Sequence, residues 1–176
     1  SDEDPEALIR EIAAQDGQVH AFVSNVSMAL VVRQLEDYAM RSLFTSIEYS
    51  AWPMVAYTRA IARICGAYPK YVVGLSSGGP DDYYVNYDFV AASKAVMETL
   101  CRYLTYRLAS EGVRVNVVRS RLVDTESLHK TFGPEFAAFH ERFDSRDRYS
   151  AADEVASAIL ALCSGLLDGV GGQVLM

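Results

Sequence analysis

The chain has 176 residues, a formal net charge of −7, 51% hydrophobic and 22% charged residues, which fits a single globular domain spanning 1–176. The acidic balance excludes nucleic acid and anionic membrane surfaces as main partners. Cys65, Cys101 and Cys163 are widely spaced in apolar settings, and the histidines are only His20, His129 and His140; this predicts reduced thiols in a cytoplasmic protein, no metal site and no membrane span.

The acids and proline of residues 1–6 open a helix whose apolar stripe runs from Ala7 to Ala14. Gly17 punctuates, and residues 19–24 read as a buried strand. Residues 31–66 carry apolar positions at helical period, with a break or kink at Pro53. A second buried strand follows over 71–76, then a Gly/Pro/Asp turn at 78–82. A long helix is expected from about 86 to 110, ending before Gly112, and a strand over 113–118. Ser150 is placed as the N-cap of a last helix, and residues 172–176 as a final strand. Strands alternating with helices predict βαβ units and a parallel sheet flanked by helices, an α/β fold.

The chemistry concentrates on the long helix. Tyr87 and Lys94 are seven positions apart, close to two helical turns, so phenol and ammonium are expected on one face. A lysine so placed is expected to lower the tyrosine pKa and make the phenol a proton donor or acceptor near neutral pH. Ser76 and Ser77 end the strand that precedes this helix. A serine at a strand's carboxyl end beside a Tyr/Lys helix resembles the Ser–Tyr–Lys site of the short-chain dehydrogenase/reductase family. The Tyr-x6-Lys spacing is similar to that of its enoyl-acyl-carrier-protein reductase branch.

The resemblance implies a Rossmann-like doubly wound sheet and a nicotinamide cofactor, NADP or NAD, with NADPH slightly favoured. It implies catalytic roles for Ser77, Tyr87 and Lys94, and cofactor contacts from Asn25, Lys94, Val123 and Thr125. Substrate contacts are expected from Tyr83, Arg121, Phe132 and Phe136, the last two within a lid over 126–148. The implied substrate is an apolar acyl or polyketide chain, free or carrier-bound, whose carbonyl or enoyl group is reduced. Arg119 or Arg121 is expected to meet its phosphopantetheine or carboxylate. The family's two-fold helix pairing implies a homodimer or homotetramer, built here on Met97, Leu100, Cys101, Leu104 and Leu108.

The chain departs from the family pattern at Val90, which stands where Tyr-x3-Lys would put the tyrosine, and at Tyr49, in the place of an asparagine. Ser120 and Arg121 replace a Pro-Gly pair. The Gly-rich turn after the first strand and about two βα units have no counterpart. The expectation is therefore that the sheet's first strands belong to further N-terminal residues or to a partner chain. Two other readings are compatible with the residues. One is a non-catalytic homologue serving as structural partner of an active subunit. The other is a serine hydrolase, because Gly74 to Gly78 fits Gly-x-Ser-x-Gly around Ser76, with Asp124 and His140 as triad partners.

Overall fold

The computed structural model describes residues 5–123, 125–143 and 149–176. In chain order the elements are α1 (Pro5–Asp16), β1 (Ala21–Ser24), α2 (Met40–Ser50), α3 (Trp52–Cys65), β2 (Tyr71–Ser77) and α4 (Asp88–Arg107). Then follow β3 (Arg114–Ser120), β4 (Leu122–Val123), α5 (Glu126–Phe143), β5 (Tyr149–Ser150), α6 (Ala152–Cys163) and β6 (Val174–Leu175).

The main sheet has the order β1-β2-β3-β6, every pair parallel, so each step between neighbours is a crossover through helices. Val72, Val115 and Val117 face one side, where Ala51, Met54, Met97 and Cys101 of the α2–α3 junction, α3 and α4 cover them. Val73 and Val118 face the other side and pack on Leu162 of α6. This two-layered cover explains the nearly unbroken apolar run of β2, as expected for a central parallel strand. The expected α/β fold with a parallel sheet flanked by helices is what the chain adopts.

At Gly74 a Cβ would come within 2.8 Å of the Met97 sulfur and 3.3 Å of the Met54 sulfur. Glycine there lets α3 and α4 sit down on the strand, which fixes how closely α4 approaches β2.

Several sequence expectations are corrected. The 31–66 periodicity resolves into a single 3-10 turn at Leu35–Asp37 and two helices that meet at Ala51, with Pro53 in the first turn of α3. Pro53 needs no amide partner at that position, so of the break or kink expected there it is the break that occurs, with Pro53 in the first turn of a new helix. Among the described residues β1 forms one edge of the sheet, and Val23 is 37% exposed. Ser150 lies in β5, which pairs with β4 in a two-stranded parallel ribbon that the sequence did not signal. The N-cap of α6 is Ala151, whose amide donates to the Glu154 carboxylate at 2.9 Å. Met97, Cys101 and Leu108, expected at a dimer surface, belong to the internal core instead, because α2 and α3 wrap that side of α4. Among the described residues no helix is long and apolar enough to cross a membrane.

Candidate active site

Ligands of open parallel sheets bind beyond the carboxyl ends of the strands, and Ser77, the last residue of β2, stands there. The chain then turns through Gly78 and Gly79, with the amides of Asp81 and Asp82 both donating to the Gly78 carbonyl. Asn86, buried and in the left-handed region at φ 61°, redirects the backbone into α4; asparagine tolerates this conformation better than most residues. Tyr87 is the N-cap of that helix rather than a residue inside it, and its carbonyl accepts the first helical hydrogen bond from Ala91.

This geometry brings two of the predicted catalytic residues, Ser77 and Tyr87, into contact and seats the third, Lys94, on the backbone of the same strand. The Tyr87 hydroxyl donates to Ser77 Oγ at 3.2 Å. Lys94 Nζ donates to the carbonyl of Leu75 at 2.8 Å, two residues earlier on the same strand. Tyr87 and Lys94 are both buried, at 9% and 6% exposure. Burial holds the Tyr87 phenol above the ordinary tyrosine range, only partly offset by the Ser77 hydrogen bond and reinforced by Tyr84. The expectation that Lys94 lowers the Tyr87 pKa is thereby corrected: the phenol stays protonated at neutral pH. Burial brings Lys94 down to about 8, so its ammonium is held in a site that disfavours charge.

The walls of the phenol pocket come from three directions. The Tyr87 ring packs on Phe132 of α5 at 5.3 Å between centroids and edge-on against Tyr84 at 5.5 Å. Beneath it, a Cβ on Gly79 would lie 2.8 and 2.9 Å from two Tyr87 ring carbons. Val90 and Leu122 complete the buried cluster, flanked by Ala29, Val31 and Leu128. α5 is bent at Gly133 (φ 69°, ψ −173°) and Pro134, which lets its first half lie over the site.

The remaining predicted residues are placed less centrally. Tyr83 is 69% exposed, and its neighbour Tyr84 takes the position against Tyr87. Arg121 is exposed. Thr125 Oγ1 accepts the Leu128 amide at 3.2 Å and so caps the start of α5. Phe136 lies on α5, but its side chain, like that of His140, is outside the described residues, as are Asp124 and residues 144–148. Ser76 is not a nucleophile elbow: its hydroxyl donates to the Glu98 carboxylate at 2.6 Å, and a turn, not a helix, follows the strand. Arg119 is likewise taken, by Glu98 and Asp81. Sequence reasoning missed Tyr84, the Gly78–Gly79 floor and this Glu98–Arg119 pair. The last had a signal, a glutamate one turn beyond Lys94, beside Met97 and Cys101 on the inner face of the helix.

Asn25 lies at the carboxyl end of β1, where with Ser24, Tyr49, Trp52 and Tyr57 it lines a groove of about 510 Å³. Ser24 Oγ is buried there with no hydrogen-bond partner. Lys94 has three donors and, among the described residues, one protein acceptor, the Leu75 carbonyl. A buried ammonium with donors to spare is suited to the hydroxyls of a nucleotide ribose. Among the described residues no three His, Cys, Asp or Glu side chains gather in a way that would hold a metal ion.

A family model described as enoyl-(acyl carrier protein) reductase matches residues 1–176. The chain belongs to the enoyl-(acyl-carrier-protein) reductase family. Among curated relatives, it is 29% identical over 177 residues to the 1-cyclohexenylcarbonyl-CoA reductase of Streptomyces collinus, covering 97% of this chain and 61% of that protein. It is 23% identical over 162 residues to an NADH-dependent enoyl-acyl-carrier-protein reductase of Buchnera aphidicola, covering 91% of this chain and 62% of that protein. The chain thus spans about three fifths of the length of these relatives. The solved enoyl-acyl-carrier-protein reductase (NADH) of Aquifex aeolicus superposes with a TM-score of 0.86 at 21% identity, over 99% of this chain and 70% of that one. A halohydrin dehalogenase bound to an epoxide ester superposes with a TM-score of 0.81 at 21% identity, over 99% and 73%. The family's fold therefore carries more than one reaction, and the side chains of the site must decide between them.

Proposed function

We propose that the protein is a nicotinamide-dependent reductase acting on the enoyl or carbonyl group of an apolar acyl thioester. The observation that carries this reading is the buried Tyr87–Ser77 hydrogen bond with Lys94 anchored two residues away on the same strand. The bound nicotinamide nucleotide supplies the reducing equivalent. Lys94 holds ribose hydroxyls with the donors that Leu75 leaves unused, and Asn25 and Ser24 border the same strand ends. Val123 and Thr125, where β4 leads into α5, border the carboxamide end of the cofactor.

Ser77 Oγ orients the substrate's carbonyl oxygen, and Tyr87 protonates that oxygen as negative charge develops on it. A phenol kept protonated by burial is suited to give a proton rather than to take one. Phe132, Leu128 and Val90 exclude water and offer an apolar wall to the acyl chain. A carrier-bound substrate and a homodimer or homotetramer, or pairing with a homologous subunit, belong to the same proposal.

A second reading, a non-catalytic homologue, is favoured by one observation: exposed Arg121 stands where the family's pattern has glycine. Fluorescence titration with NADH and NADPH, followed by a turnover assay on a medium-chain enoyl thioester, separates the two. Saturable binding with turnover is expected. Absence of both overturns the reductase reading and leaves the scaffold.

A further inference from the structure

Behind the site lies a charged cluster that the proposed chemistry does not use. Glu98 follows Lys94 by four residues on α4 and is 3% exposed. Its Oε1 accepts from Ser76 Oγ at 2.6 Å and from Arg119 Nε at 2.7 Å, and its Oε2 accepts from Arg119 Nη2 at 2.6 Å. Arg119 is the cross-strand register partner of Ser76, so both side chains leave the sheet at one level and converge on the same carboxylate. The outer nitrogen of Arg119 pairs with Asp81, in the turn between Gly79 and Tyr87.

Three backbone segments are therefore tied at one point: the end of β2, the end of β3 and the turn leading to the phenol. The helix makes two consecutive grips on β2, Lys94 on the carbonyl of Leu75 and Glu98 on the hydroxyl of Ser76. The next residue is Ser77. A bidentate guanidinium–carboxylate pair has fixed geometry, and in a buried setting it tolerates little displacement. The hydrogen bond it protects, Tyr87 to Ser77, is 3.2 Å, already longer than is usual between two hydroxyls, so a small slip of the strand end would break it.

We propose that Glu98 and Arg119 are positioning residues: by holding Ser76 and Asp81 they set the register of α4 on β2 and hence the relation of Ser77, Tyr87 and Lys94. The activity arm of the test rests on the reductase reading above; the spectroscopic arm does not.

The test is the double variant Glu98→Leu/Arg119→Met, which removes both charges together and leaves neither buried alone. Tyrosine labelled at Cζ and lysine labelled at Cε report on the site by carbon NMR. Tyr87→Phe assigns the first signal; Lys94→Met assigns the second, the other lysines being Lys70 and Lys130. The folded double variant is expected to move the Tyr87 signal and the Lys94 titration midpoint, and to lower kcat for enoyl-thioester reduction about tenfold or more, since a ~1 Å misplacement costs up to about a hundredfold. Unmoved Tyr87 and Lys94 signals in a folded double variant, with wild-type kcat where the parent turns over, overturn the proposal. If the parent shows no turnover, the proposed function fails while the two NMR signals still decide this inference. If the double variant does not fold, Ser76→Ala, which keeps the ion pair, is read by the same signals and the same criteria.

Discussion

The Tyr87 hydroxyl meets the Ser77 hydroxyl, ten positions earlier in the chain, at 3.2 Å, with both side chains buried. Two neutral hydroxyls in contact form an acid that can hand a proton to an oxygen bound between them, provided the phenol stays protonated. Burial ensures that it does. Tyr87→Phe keeps the ring against Phe132 and Gly79 and removes the hydroxyl that would give the proton, with its bond to Ser77. We expect turnover of an enoyl or carbonyl substrate to fall by about a hundredfold or more, with nucleotide affinity unchanged. Steady-state kinetics beside a fluorescence titration check both halves, and near-full activity would remove Tyr87 from the mechanism.

Lys94 makes stability depend on pH in a defined direction. Its pKa falls from 10.5 in the unfolded chain to about 8 in the fold. Between those values the unfolded chain holds a proton that the folded one has released. Stability contributed by this group therefore rises as pH climbs from about 8 to 10.5, and the cost of burying the charge is fully present below 8. At about 1.36 kcal/mol per pKa unit the swing is on the order of 3 kcal/mol. Cys101, pushed up to about 12, acts in the opposite sense at high pH, so the measurement must be a difference. Denaturant unfolding of Lys94→Met and parent, compared at several pH values across this window, should give an advantage to the variant that shrinks as pH rises. A constant difference would show that Lys94 is not buried as described.

Gly79 is the floor of the phenol pocket. Its φ is not in the left-handed region, so alanine brings no backbone penalty, only a methyl group within 3 Å of the Tyr87 ring. Gly79→Ala is expected to destabilise the protein by about 1–3 kcal/mol and to displace Tyr87 from Ser77. Thermal unfolding reads the first effect. The labelled tyrosine signal reads the second, and should move in this variant and remain in place in Gly169→Ala, where a Cβ meets nothing within 4 Å.

Phe132 covers Tyr87 while belonging to a helix bent one residue later at Gly133. Truncation to alanine uncovers the phenol and removes apolar wall. We expect a loss of about 3 kcal/mol in stability and a larger rise in KM for long acyl thioesters than for short ones. An equal effect on both chain lengths would detach Phe132 from the acyl chain.

Self-association must use residues other than Met97, Cys101 and Leu108 of α4, which the core of the monomer consumes. Met40 and Phe44 of α2 and Tyr103 and Tyr106 of α4 are the exposed large side chains on these two packed helices. We expect a dimer by light scattering that Phe44→Asp weakens. A parent that stays monomeric at micromolar concentration would end this expectation.

Periodicity and composition were enough to name the parallel α/β class, because buried parallel strands such as 71–77 must read as continuous apolar runs and their crossovers as amphipathic helices. The candidate triplet of Ser77, Tyr87 and Lys94 came from a family resemblance, and that resemblance was visible because its members lie on one strand, one turn and one helix that are neighbours in sequence. What the sequence did not carry was anything that depends on the environment of a side chain. The direction of the Tyr87 pKa was set by desolvation under Phe132, from a helix forty-five residues away, and not by the nearby lysine. The apolar stripe of α4 was correctly seen but assigned to the wrong partner, since local spacing marks a face without saying what covers it. The pairing of Ser76 with Arg119, forty-three positions apart, exists only through strand register, and Glu98 becomes a tie between strands only when α4 crosses them. Such contacts are products of packing; a local pattern holds no record of the distance between segments that folding brings together.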